Sequence, residues 1–116
     1  MSIPAGKRLG STPVALTTTM TTNVYNPANG VFAEISQIIV TNKTASAATF
    51  SLWIGATGAN AAGTELFNGQ SVAPNNQSSW FFQDLKLSNS DFLVGGAGTA
   101  TALTITILGE EYLVQV

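Results

Sequence analysis

The chain has 116 residues and a formal net charge of −2, and only 9% of those residues are charged, against about 25% in an ordinary soluble domain. It contains no cysteine and no histidine, which excludes disulfides and thiolate metal sites and removes the commonest general base. The length suits one domain, and the longest apolar runs, such as Ile38-Ile39-Val40, fall far short of the ~20 residues of a membrane-spanning helix.

No helix is predicted anywhere. Thr, Val, Ile and Gly recur where helix formers would stand, and alternation with turn signals dominates. Residues 1–13 read as an extended N-terminal arm, with Pro4 and Pro13 stiffening a stretch that Gly6 and Gly10 loosen. The basic pair Lys7-Arg8 is followed by no apolar stretch, so the arm is not expected to be a signal peptide. Residues 14–116 form the predicted β-sandwich domain.

Pro13 to Thr19 alternates and is predicted as a strand, with a short one from Thr22 to Tyr25 and a turn at Asn26-Pro27-Ala28-Asn29-Gly30. Val31 to Asn42 is a long strand. Val31, Ala33 and Ile35 share one face and Ile38 and Val40 the other, so it is either buried on both faces or switched in phase by a bulge near Ser36-Gln37. After a turn at Lys43 to Ser46, Ala48 to Ile54 places Phe50, Leu52 and Ile54 on one face and Thr49, Ser51 and Trp53 on the other. Gly55 to Gly63 is a loop.

Asn68-Gly69 predicts a two-residue hairpin turn, and Pro74 to Gln77 turns again. Ser79 to Phe82 and Leu85 to Leu87 are two short strands or one bent strand. Asp91 to Val94 is a strand, and Gly95-Gly96-Ala97-Gly98 is predicted as a turn. Thr101 to Leu108 alternates, Gly109-Glu110-Glu111 interrupts it, and Tyr112, Val114 and Val116 share a face beyond. About eight strands with turns roughly every ten residues predict an all-β fold, a single antiparallel β-sandwich, jelly-roll-like or Ig-like.

The chemistry-bearing residues are few. The glycine run at 95–98 lacks the following Lys and helix of a phosphate cradle. The six carboxylates show no spacing that sets two across a cleft, and no loop carries the regularly spaced acids of a calcium site. Serines and threonines have no histidine to activate them. The chain is therefore expected to be no enzyme and to hold no cofactor or metal. Its four basic residues, Lys7, Arg8, Lys43 and Lys86, are too few and scattered for nucleic acid.

Scarce charge has a physical reading of its own. Interfaces deplete charge more than free surfaces do, so much of the surface is expected to be covered by other subunits. The residues expected at interfaces are Ile3, Pro4, Lys7, Arg8 and Leu9 of the arm, which would add to a neighbour's sheet edge or lie along it, together with Trp53 and Trp80. The two tryptophans also admit a second reading, as a stacking platform for sugar rings.

The order of features resembles a known group. An Ile-Pro-Ala-Gly start, a Thr-rich strand, the run ISQIIVTNKTASAATFSLWI, a late aromatic strand and the final ALTITILGEEYLV are similar to the small β-sandwich proteins of tailed-bacteriophage virions. Those relatives serve as head decoration (cement) proteins or as tail and neck accessories. The resemblance covers most of the chain, with Asn26-Pro27-Ala28-Asn29-Gly30 standing where many relatives carry a Val-Pro-Ala-Gly-type turn. It implies a homo-oligomer, expected to be a trimer, that binds the major capsid protein on the outside of the head in the virion after assembly in the bacterial cytoplasm. A tail, neck or baseplate component and a carbohydrate-binding module are the alternatives.

Overall fold

The computed structural model describes residues 7–10, 12–55 and 63–113. Among them the chain forms nine strands: β1 Lys7–Arg8, β2 Val14–Ala15, β3 Asn23–Tyr25, β4 Val31–Asn42, β5 Ala48–Gly55, β6 Glu65–Val72, β7 Asn76–Leu87, β8 Phe92–Ala97 and β9 Leu103–Leu113. They build two antiparallel sheets. Sheet A runs β1-β9-β4-β7 with β2 also on β9, and sheet B runs β3-β8-β5-β6. Thus β2 pairs with β9, β3 with β8, β4 with β7 and β5 with β6. A long hairpin wound over itself gives this order, which is that of a jelly roll rather than an Ig sandwich.

The alternation read from the sequence sets the core. Phe50 and Leu52 from β5 and Leu103, Ile105 and Ile107 from β9 are fully buried between the sheets. In β4 the register shifts between Ile35 and Gln37 against both neighbours. One extra residue flips the side-chain parity, so Ala33 and Ile35 before the bulge and Ile38 and Val40 after it all reach the same core. On the opposite side of the bulge, β7 is one bent strand, with Asp84 at φ 61° where it bends.

Several expected elements differ. The chain joins the sandwich upstream of residue 14: β1 pairs Lys7 with Gly109 and Arg8 with Leu108. Leu9, fully buried, fills the chain's own core rather than a neighbour's surface, which at about 2 kcal/mol for such a side chain favours the closed arrangement. Thr12 Oγ1 bonds the Leu9 and Ile107 carbonyls. Downstream, only Val14–Ala15 of the predicted Pro13 to Thr19 strand lies in the ladder. The chain then crosses to sheet B, where Gly95 and Ala97 donate to the Thr22 and Thr17 carbonyls.

Asn68-Gly69 makes no hairpin. It is a bulge inside β6, where Gly69 takes φ 63° and its N–H donates to Ser51 Oγ at 2.9 Å. Gly95 and Gly96 are not in a turn but inside β8. A Cβ on Gly95 would stand 2.1 Å from the Ser51 carbonyl oxygen, and one on Gly96 2.6 Å from that of Thr17. Only glycine lets these backbones approach so closely. Gly109 to Glu111 do not interrupt β9, which runs unbroken to Leu113.

Candidate interaction surface

Three places on this scaffold gather polar, charged or aromatic side chains. The first two close the two sides of the sandwich. Between β5 and β6 of sheet B and β7 of sheet A, Phe67 lies 5.1 Å from Phe50 and 4.9 Å from Trp80, with Phe50 and Trp80 5.4 Å apart. Phe82 meets Phe67 edge-on at 6.4 Å. These tilted and edge-to-face pairs are the favoured aromatic geometry. Trp80 is therefore part of the packing between sheets and does not offer a free ring face as a sugar platform. Trp53 is half-buried on the outward side of β5, opposite Glu65 and the buried Val94. The two tryptophans do not form one site.

On the other side, Glu111 joins both sheets. Its carboxylate is 2.6 Å from Lys7 Nζ of β1, and it accepts a 2.5 Å hydrogen bond from the Tyr25 hydroxyl of β3. The Lys7 ammonium, and next the Tyr25 hydroxyl, hold the Glu111 carboxyl below its ordinary range. Burial, and then the carboxylate it bonds, push the Tyr25 phenol well above its own. Lys7 is thus engaged within the chain, while Arg8 is exposed beside Leu108. Ile3 and Pro4 lie outside the described residues.

The third place is the outer face of sheet A, where cross-strand register arranges side chains in rows. One row reads Arg8, Leu108, Gln37, Phe81; the next Thr106, Ile39, Ser79; the next Ala15, Thr104, Thr41, Gln77. Apart from Arg8 at the rim these rows carry no charge, and Phe81 is 76% exposed. Phe81 thus stands exposed on a sheet face whose other side chains are chiefly uncharged Thr, Ser and Gln.

Toward the far end of the same face the chemistry changes. Glu110, Glu34 and Lys86 form a row, followed by the pair Tyr112 and Phe32. The Tyr112 hydroxyl donates to Glu110 at 2.9 Å, which raises the tyrosine's pKa. An open groove of about 600 Å³ lies here, lined by Phe32, Glu34, Lys86, Ser88, Asp91 and Tyr112. Its rim is fixed: Asp91 Oδ2 accepts from the Ser88 N–H and hydroxyl. Asn26 Nδ2 donates to the Asn89 and Asp91 carbonyls, and Asn89 Nδ2 to Asn29 Oδ1.

Of the sequence-predicted site residues that are described, Lys7, Arg8, Leu9, Trp53 and Trp80, none lines this groove and only Arg8 borders the uncharged rows. Leu108 was legible as outward-facing from its alternation with Ile107, whereas Phe81 was not, because nothing local marks its neighbour Trp80 as core-facing. No protein-family model, curated protein or solved structure matches this chain.

Proposed function

We propose that this chain is a structural protein of a tailed-phage virion, a decoration protein that binds the outside of the head as a homo-oligomer and strengthens the shell. Its role is mechanical rather than catalytic. The observation that carries the reading is the uncharged outer face of sheet A, with Phe81 exposed on its edge strand β7. A chain with 9% charged residues that still exposes such a face is suited to burying it against another subunit. The resemblance of its feature order to small virion β-sandwich proteins supports the same class.

The mechanism follows from linkage. A protein that binds only the assembled shell stabilises that shell by mass action, and a repeated lattice or a trimer multiplies a modest contact by avidity. The expected homo-oligomer, a trimer, and the major capsid protein are the partners of this proposal. Phe81→Asp places an unpaired charge on this face while leaving the core untouched. It is expected to weaken attachment or self-association at least about tenfold with little change in folding stability, checked by light scattering and by co-sedimentation with particles. Copy number per particle separates locations: hundreds fit the head, and a handful fit the tail or neck and end the decoration reading.

A further inference from the structure

We propose that the groove between the ends of β4, β7 and β9 is a saccharide-binding site. It goes beyond the assembly reading and uses a different part of the sheet face, so either can fail alone. Two aromatic side chains, Phe32 at 48% and Tyr112 at 39% exposure, are register neighbours on the outer face and line the groove. Exposed rings beside one another supply the apolar surface on which the C–H faces of pyranose rings stack. Around them stand the carboxylates of Glu34 and Asp91, the latter accepting from Ser88 through Oδ2, and the exposed ammonium of Lys86, 3.8 Å from Asp84.

The set of groups selects the ligand class. Among the described residues no group of carboxylates is gathered closely enough to hold a metal ion, and an anion is opposed by Glu34 and Asp91, with Glu110 beside them in the next strand. A wholly apolar ligand would strip water from charged groups and leave them unpaired. A neutral polyol satisfies all of them: its hydroxyls donate to the carboxylates and accept from the ammonium, and its C–H face covers the rings. The volume of about 600 Å³ lies within the usual range of ligand clefts, roughly 300–1,000 Å³. The rim is held by the side-chain hydrogen bonds between the 26–29 and 88–91 segments, so little ordering is lost on binding.

The site differs from the sequence-based sugar platform, which rested on Trp53 or Trp80. The test is an array of neutral and anionic oligosaccharides probed with the isolated full chain, with hits confirmed by saturation-transfer NMR. A neutral oligosaccharide is expected to bind, its magnetisation transfer centred on the aromatic protons of Tyr112 and Phe32. Tyr112→Ala and Phe32→Ala are each expected to weaken it about tenfold or more, and Lys86→Met by less, with circular dichroism unchanged. Phe81→Ala, on the uncharged rows, is expected to leave binding intact. The proposal is overturned if no saccharide binds at millimolar concentration or if only anionic ones do. Binding that survives both aromatic substitutions but is lost in Trp53→Ala overturns it as well.

Discussion

The two sides of the sandwich are closed by opposite chemistries. Between β5, β6 and β7 the sheets are joined by four rings in tilted and edge contacts. Between β1, β3 and β9 they are joined by one carboxylate shared by an ammonium and a phenol. The first closure is non-directional and indifferent to pH. The second is short, directional and charge-assisted, and its ion pair exists only while Glu111 is ionised. The same fold is therefore sealed on one side by area and on the other by protonation state.

Removing the largest ring is expected to break the comparison most visibly. Trp80→Ala should lower unfolding free energy by about 3 kcal/mol, by the same amount at pH 4 and at pH 7, measured by urea titration. A loss that depended on pH would contradict an apolar closure. Glu111→Gln should cost about 1–2 kcal/mol near pH 7, and its difference from the parent chain should shrink in acid. The folded carboxyl has a lowered pKa, so its contribution is complete above the unfolded value of about 4.3 and disappears as pH falls through the folded value. Unfolding curves of the two proteins should draw together as pH falls below the unfolded value and converge once it is below the lowered folded value; a gap unchanged throughout that fall would mean that Glu111 acts by packing. Tyr25→Phe should cost about 1 kcal/mol, read from the same curves. Lys7→Gln should have the smallest effect, under about 0.5 kcal/mol and reduced by salt, because a largely exposed ammonium is screened.

Much of this architecture is legible in the sequence, and what is not has identifiable causes. Phe50-x-Leu52 and Leu103-x-Ile105-x-Ile107 reveal their strands because each has one buried face and one polar face. The β4 bulge is legible because its parity break left only two readings. The glycines were misleading for a different reason. Gly95 and Gly96 look like a turn because local chemistry favours one, yet they are required by carbonyls of Ser51 and Thr17, far away in sequence. Asn68-Gly69 has the chemistry of a hairpin turn and is used as a bulge, since Ser51 supplies the hydrogen bond that stabilises it there.

The polar closure could have been found. Carrying the alternation of Ile105 and Ile107 through Gly109 puts Glu111 on the inner face, where a carboxylate demands a partner. Asn42 follows the same logic at the end of Ile38 and Val40. It is buried and bonds the Ser46 and Val72 carbonyls through Nδ2 and Thr44 through Oδ1. The groove was not legible at all. Its residues come from β4, β7, β9 and the 88–91 turn, and only the register of sheet A brings them together.

The pairing of the first strands with β9 has a consequence for synthesis. Thr12 meets Ile107 across 95 residues of chain, and β4 has β9 as one of its two neighbours. During translation, β5 and β6 can zip together soon after they leave the ribosome, but sheet A stays open along β4 until residues 103–113 emerge. The nascent protein therefore carries an unpaired β4 edge until that segment has emerged. Closure around distant partners is intrinsically slow, and the exposed edge during that interval is where chaperones or sister chains would bind first.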